Sequence, residues 1–153
     1  MASWDEIATT FDERVRRIVW CTATTIDANG CPFSRILHPV WEGRTGWIAT
    51  GRHTLKTKHL AANANVSLGY WDPKHDTVMV QAGTEWCDDE ATKRRVWELI
   101  RNAPPPVGYD PALFWNGGVR DPSYGVLRLT PHRIDLLGAQ EMTAGKGATV
   151  WRA

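Results

Sequence analysis

Cysteine is scarce in this chain, which has only Cys21, Cys31 and Cys87 and contains no Cys-x-x-Cys pair. An odd number of thiols without such a pair argues against a disulfide framework and against a structural zinc site. We expect all three thiols to be free, as they are in a reducing compartment. The sequence therefore predicts no metal site.

Long hydrophobic runs and a marked excess of either charge are also missing. No stretch approaches the roughly 18 apolar residues of a membrane helix, and the first residues carry no apolar run of signal-peptide length. We therefore expect a soluble, cytoplasmic protein that does not bind membranes. The formal net charge is +1, from 18 Lys and Arg against 17 Asp and Glu. A general nucleic-acid-binding domain is usually more basic, so we expect no nucleic-acid partner.

Strand patterns separated by turn signals make up most of the chain, and no repeat or linker interrupts them. We therefore predict one domain and a mainly β (α+β) fold, an antiparallel barrel of six or seven strands that is closed or partly closed. Helices are predicted over 4–16, 54–64 and 87–103. Strands are predicted as a hairpin over 18–41, at 47–50, 65–71, 77–86, 124–131 and 133–138, and at the C-terminal edge.

The segment TGRHTLKTKHL, residues 50–60, concentrates the positive charge of the chain. Its basic or titratable side chains are Arg52, His53, Lys56, Lys58 and His59. A strand pattern ends at Thr50 and a helix begins after Thr54, its predicted N-cap. Helix starts bind anions readily, so Thr54, Lys56 and Arg52 together suit a phosphate monoester. A solvated basic helix face is the alternative.

A second cation, Arg35, lies in the middle of a predicted strand. Alternation places Arg35 and Leu37 on one face of that strand and Ile36 and His38 on the other. A charged residue among apolar neighbours in a strand either reaches an edge or meets an anion. A second phosphate ligand explains Arg35, and so does a surface salt bridge.

Several short motifs follow one another along the chain. They are Gly-x-Pro-x-x-Arg, Thr-Leu-Lys and Leu-x-x-Asn-x-x-Val-x-Leu, formed by Gly30, Pro32 and Arg35, by Thr54 to Lys56, and by Leu60, Asn63, Val66 and Leu68. Gly83 and the segment LRLTPHRIDLLG come after them. In this order and spacing, the chain over roughly residues 15–138 resembles the pyridoxamine 5'-phosphate oxidase-like superfamily, the flavin-binding split β-barrels.

The resemblance implies a six-stranded antiparallel split β-barrel with flanking helices. It also implies a homodimer whose two cofactors lie in clefts between the subunits. The cofactor would be FMN, or alternatively the deazaflavin coenzyme F-420, which also carries a phosphate on a ribityl chain. The implied phosphate contacts are Arg35, Thr54 and Lys56. The implied neighbours of the ring are the backbone of Ile36, Leu37, His38, Val40 and Thr50, with Thr77 as a polar contact.

Two departures from the family pattern bear on the substrate. Authentic pyridoxamine phosphate oxidases carry a tryptophan where this chain has Leu137, and they carry an Arg-x-His motif that is missing from GAQEMTAGKGATVW. We therefore expect a flavin- or deazaflavin-dependent oxidoreductase that acts on a small molecule other than a vitamin B6 phosphate.

No side chain stands out as the catalytic group, although His38 lies beside the implied ring. The remaining histidines are too scattered for a metal site, and we expect them to lie in exposed loops. Two rival functions stay open. The first is a binding module that holds flavin or haem without turnover, and the second is a small nucleic-acid-binding barrel.

Overall fold

The computed structural model describes all residues from 1 to 153 as four helices packed on one eight-stranded antiparallel sheet. This confirms the predicted mainly β fold with flanking helices. The helices are α1 Trp4–Ile18, α2 Leu55–Ala62, α3 Glu90–Asn102 and α4 Ala139–Thr143. The strands are β1 Cys21–Ile26, β2 Pro32–Leu37, β3 Val40–Glu42, β4 Thr45–Gly51, β5 Asn65–Trp71, β6 Thr77–Trp86, β7 Tyr124–Leu137 and β8 Thr149–Arg152.

The sheet has the order β2-β1-β5-β6-β7-β4-β3, and β8 also pairs with β7. Strands β2 and β3 follow each other in the chain, yet they form the two ends of this order and do not pair. The barrel is therefore split, as predicted, and it has eight strands rather than six. None of its helices is long and apolar enough to cross a membrane.

Two of the differences from the predicted strand boundaries involve proline. The predicted strand through residues 32–41 is interrupted at His38 and Pro39, because proline has no N–H to donate to a ladder. The two strands predicted over 124–131 and 133–138 are one strand, β7. Its pairing with β6 shifts between Pro131 and Arg133, so His132 is the extra residue of a β-bulge, where proline is tolerated.

The first helix is anchored at both ends. Ser3 and Glu6 form a capping box, and Ile7, Phe11 and Val15 are buried against the sheet. Near its C-terminus, Arg14 donates hydrogen bonds to the carbonyl oxygens of Thr77 and Leu137 at 3.0 and 3.1 Å. The helix thus fixes the end of β7 against the start of β6.

The loop between α3 and β7 packs on the sheet through a second, smaller core. This core includes Val107, Trp115 and Tyr124, and the last two rings lie 5.1 Å apart. A short 3-10 turn lies at Pro111–Leu113. Because these anchors hold both ends of the loop, its middle is positioned over the end of β2.

Candidate functional site

Arg35 on β2 turns its guanidinium inward, toward β1. It lies directly opposite Ala23, and its Nη1 donates hydrogen bonds to the Ala23 carbonyl oxygen at 3.2 Å and to the Thr25 hydroxyl at 2.8 Å. Burial lowers the pKa of Arg35, and no carboxylate offsets that effect. The surface salt bridge considered as an alternative is therefore wrong.

Lys56, in the first turn of α2, is also a buried cation. Its side chain is only 9% exposed, and its Nζ donates a hydrogen bond to the Thr54 hydroxyl at 2.8 Å. Burial lowers the pKa of Lys56, and the positive charge of nearby Arg35 lowers it further. The cations Arg35 and Lys56, which come from separate segments, therefore lie close together. The alternative of a solvated basic helix face is wrong for Lys56.

Thr54 occupies the predicted N-cap position of α2, but its hydroxyl does not cap the helix. Instead it donates a hydrogen bond to the Gly51 carbonyl oxygen at 3.2 Å and accepts one from Lys56. The hydroxyl therefore holds the lysine ammonium, and the N-terminus of α2 carries no side-chain cap.

The other basic residues of the 50–60 segment lie elsewhere. Arg52 pairs with Asp88 at 2.8 Å and covers the ring of Trp86 at 4.5 Å, so it is not available to an anion. His53 and Lys58 are exposed. The expectation that every histidine other than His38 lies in an exposed loop is wrong for His132, which is exposed but lies within strand β7, and for His59. That residue is buried within α2 and hydrogen-bonded to Thr25, since helix packing places it against β1.

A cleft of about 430 Å³ includes Ile36, which follows Arg35 in the chain, and Gly51, which lies against the Thr54 side chain. Four of the predicted ring neighbours line it, namely Ile36, Leu37, His38 and Thr50. The opposite wall comes from Trp20 and from the loop between α3 and β7, and the lining contains no Asp, Glu, Lys or Arg. The wall residues contributed by the loop are Pro106, Gly108, Tyr109, Leu113, Phe114 and Trp115.

The segment between Thr50 and Thr54 connects the uncharged cleft to the two cations. Gly51 lines the cleft, and a Cβ placed on it would approach the Thr54 side chain to 2.8 Å. A side chain at position 51 would therefore displace the Thr54 side chain, which holds Lys56. The site as a whole has an uncharged, partly aromatic part and an adjoining basic end.

His38 lies within the wall of the cleft. Its ring is 4.8 Å from Trp20 and 5.2 Å from Tyr109. Burial lowers the pKa of His38, while a backbone contact with Val107 works in the opposite direction. The net lowering favours the neutral imidazole at pH 7, so His38 adds no charge to the cleft. No three His, Cys, Asp or Glu side chains converge into a metal-binding group.

Two of the predicted site residues lie apart from the cleft within one chain. Val40 is buried in the smaller core, so its side chain is not available to a ligand. Thr77 is on β6, three strands away from β2, or about 14 Å at the usual strand spacing. Its hydroxyl donates a hydrogen bond to the Leu137 carbonyl oxygen at 3.1 Å.

A row of outward-facing residues crosses the sheet from the cleft toward β6. Ile36, Thr22, Gly69 and Met79 lie directly opposite one another on successive strands. Ile36 is 61% exposed and Met79 is 45% exposed, and the exposed Trp71 adjoins the row. Thr22 and Gly69 separate the two apolar side chains of the row, and exposed apolar groups on one face are typical of interaction surfaces.

Sequence reasoning missed Thr25 and the loop residue Tyr109 as parts of the site. Thr25 alternates with Cys21 and Ala23 and therefore faces the core, where a hydroxyl needs a partner. A polar residue at an inward-facing strand position was therefore the feature of the sequence that could have identified Thr25. Tyr109 follows three consecutive prolines, and nothing local in that segment predicted its approach to β2.

A larger groove, about 500 Å³, lies between α1, β3 and α3. Its arginines are already neutralised, because Arg16 pairs with Asp12 at 2.7 Å and Arg95 pairs with Glu42 at 3.0 Å. We therefore place the candidate site in the smaller cleft beside the unpaired cations.

Comparison with protein families gives one match. The family model described as pyridoxamine 5'-phosphate oxidase matches residues 7–138. No curated protein matches the chain. The matched segment contains β1 to β7, and therefore the cleft and both unpaired cations.

Solved structures share the fold at low sequence identity. A protein related to general stress protein 26, of the pyridoxinephosphate oxidase family from Clostridium acetobutylicum, aligns with a TM-score of 0.76 and 18% identity over 97% of this chain and 95% of that one. A pyridoxamine 5'-phosphate oxidase-related, FMN-binding protein from Nostoc punctiforme aligns with a TM-score of 0.66 and 13% identity over 100% and 97%. A haem-binding protein from Mycobacterium smegmatis gives a TM-score of 0.70 and 13% identity over 99% and 59%.

Proposed function

This chain belongs to the pyridoxamine 5'-phosphate oxidase family, and we propose that it is a flavin-dependent oxidoreductase that uses FMN to transfer hydride to or from a small molecule. The observation that carries the proposal is the convergence of Arg35 and Lys56, two partly desolvated cations without an acidic partner, at the end of an uncharged cleft. The FMN-binding protein from Nostoc punctiforme, which has the same fold, supports the choice of cofactor.

The basic end of the site fits a phosphate group. Burial disfavours the charged forms of both Arg35 and Lys56, and a phosphate dianion beside them would reverse that effect. Each charge-assisted hydrogen bond to such an anion contributes about 1.5–3 kcal/mol. Arg52 is excluded from this role because Asp88 already neutralises it.

The cleft fits a flat heterocycle with a polar edge. Strand β2 is at the edge of the sheet order and pairs only with β1, so half of its backbone N–H and C=O groups are free to hydrogen-bond. The segment from Ile36 to His38 would present these groups to the ring edge, while Trp20 and Tyr109 offer aromatic surface. FMN, when bound, supplies the hydride chemistry; the chain supplies binding, orientation and exclusion of water.

The outward-facing row of Ile36, Thr22, Gly69 and Met79 supports a homodimer. Joining two such faces would bury exposed apolar surface immediately beside the cleft. A cofactor at that interface would contact both subunits. Thr77 is remote from the cleft of its own chain and would then contact the ring that is bound in the cleft of the other subunit.

The substrate differs from a vitamin B6 phosphate in this proposal. Leu137 stands where authentic oxidases have a tryptophan, and the segment after it forms α4 and β8 without an Arg-x-His motif. The cleft wall also lacks a second cluster of cations for a substrate phosphate. These features favour an uncharged small molecule.

A second function, non-catalytic binding of flavin or haem, is favoured by one observation. The haem-binding protein from Mycobacterium smegmatis shares this fold. Against haem, the unpaired basic pair is suited to a single phosphate, which FMN carries and haem lacks.

The test is the visible spectrum of the purified protein, followed by titration with FMN, with coenzyme F-420 and with haemin. The proposal predicts flavin absorption bands that bleach when NADPH or NADH is added without oxygen. Bound flavin that neither nicotinamide nor reduced F-420 bleaches would support the binding module instead. Preferential binding of F-420 or of haemin would show that this ligand, and not FMN, is the cofactor.

A further inference from the structure

We propose that Thr25 and His59 are positioning residues that orient Arg35 and thereby make the site selective for a phosphorylated cofactor. This inference rests on the proposed function, since it concerns the same basic end of the cleft. It assigns a role to two buried polar side chains that do not themselves face the ring. The structure supports it through a chain of hydrogen bonds that joins β2, β1 and α2.

Thr25 is the only side-chain acceptor that Arg35 has. The Thr25 hydroxyl lies 2.8 Å from the Arg35 Nη1 and 2.9 Å from the His59 Nδ1. Thr25 is 2% exposed and His59 is 4% exposed, so water does not compete for these hydrogen bonds. The guanidinium is therefore held by one hydroxyl and one backbone carbonyl, without a carboxylate that would neutralise it.

Arginine only donates, so the Thr25 oxygen accepts from Arg35. The Thr25 hydroxyl and the His59 Nδ1 form the second hydrogen bond of the chain, and its donor is set by the tautomer of His59. The ring of Phe33 covers His59 at a centroid distance of 4.8 Å and completes its burial.

The same helix carries both ends of the arrangement. His59 follows Lys56 by three residues on α2, so the two side chains share one helix face. Lys56 belongs to α2 and is held by Thr54. Arg35 is connected to the same helix through Thr25 on β1, which is hydrogen-bonded to His59. An arginine held in one orientation loses less rotamer freedom when it binds an anion.

Removing the Thr25 hydroxyl should weaken phosphate binding without touching the ring site. Neither Thr25 nor His59 lines the cleft. The loss should therefore fall on ligands that carry the phosphate and spare those that carry only the ring and the ribityl chain. FMN and riboflavin form that pair of probes.

The experiment measures the dissociation constants of FMN and riboflavin for the full-length protein and for T25V, T25S, H59L and H59N. We expect T25V to weaken FMN about tenfold, the size of one hydrogen bond to a charged group, and to leave riboflavin unchanged. T25S, which keeps the hydroxyl, should restore FMN binding. H59N keeps a hydrogen-bonding group near the Nδ1 position and should bind FMN better than H59L.

Two results would overturn the inference while leaving the proposed function intact. In one, T25V weakens FMN and riboflavin by the same factor, which makes Thr25 merely structural. In the other, T25V binds FMN as tightly as the unaltered protein, which removes Thr25 from the positioning of Arg35. A failure of the proposed cofactor is visible separately, because the unaltered protein would then bind neither probe. A failure of the proposed activity is visible as bound flavin that neither a nicotinamide nor reduced F-420 bleaches.

Discussion

The guanidinium of Arg35, on β2, and the ammonium of Lys56, on α2, are close enough that the arginine charge lowers the pKa of the lysine. Like charges are held together in this way only when other interactions compensate for their repulsion. Here Thr25 and Thr54 hold the two cations at 2.8 Å each, and no carboxylate separates them. An anion bound between the two cations would relieve this repulsion, as the proposed phosphate site requires.

Replacing Lys56 with methionine should weaken FMN binding by about 10- to 100-fold, the loss of one charge-assisted hydrogen bond. The free energy of unfolding should stay the same or rise, because a desolvated cation is removed from the protein. Lys58→Met, an exposed position on the same helix, is the matched control. Fluorescence titration and thermal melting measure the two quantities, and an unchanged FMN affinity would show that Lys56 holds no phosphate.

FMN affinity should also fall at alkaline pH. Burial and the charge of Arg35 lower the pKa of free Lys56, whereas bound phosphate favours its ammonium form and raises that pKa. The affinity is therefore highest below the pKa of the free lysine and declines as pH rises through it. Titrations against pH should show this decline for FMN but not for riboflavin, and not in Lys56→Met.

Acid should destabilise the fold through Asp72, which anchors α1 to the β5–β6 turn by its contact with Arg17. Burial raises the pKa of Asp72, but Arg17 and the backbone N–H groups of Asp76 and Lys74 outweigh it, so the net pKa is lowered. The stability that this carboxylate contributes is fully present above the pKa of Asp72 in the unfolded chain, about 4. It is lost as the pH falls through the lower pKa of Asp72 in the folded protein.

Asp72→Asn should therefore lower the urea midpoint at neutral pH and lose its difference from the unaltered protein in acid. Asp12→Asn, which breaks only the exposed pair with Arg16, should change the midpoint little at any pH. Equal effects of the two substitutions at neutral pH would contradict the anchoring role of Asp72.

Met79→Glu should dissociate the proposed homodimer. Met79 lies in the outward apolar row with Ile36, and an ionised carboxylate there would be buried without a partner. Sedimentation should report a monomer with weakened FMN binding, because the cofactor would contact both subunits. Met142→Glu, at an exposed methionine on α4, should leave the assembly intact. A dimer that persists in Met79→Glu would remove this face from the interface.

Alternation along the strands was sufficient to predict which face of β2 carries Arg35. The sequence placed Arg35 with Leu37, and both lie opposite inward residues of β1, Ala23 and Cys21. Family motifs added the convergence of Arg35 with Lys56, which no local pattern contains.

The features that could not be predicted depend on contacts between residues that are far apart in the chain. Arg52 looked like a phosphate ligand, but its partner Asp88 comes 36 residues later in the chain. The continuity of β7 through Pro131 depends on a bulge against β6, and Tyr109 reaches His38 only because a second core positions its loop. Such contacts depend on tertiary packing, and propensity does not encode them.

The most direct test of the central claim is a crystal structure of the protein with FMN. We predict the phosphate between Arg35 and Lys56, with oxygens about 2.7–2.9 Å from the guanidinium and the ammonium, as charge-assisted hydrogen bonds require. The ring should lie along Ile36 to His38. A phosphate bound elsewhere, with Arg35 and Lys56 contacting only their threonines, would contradict the claim.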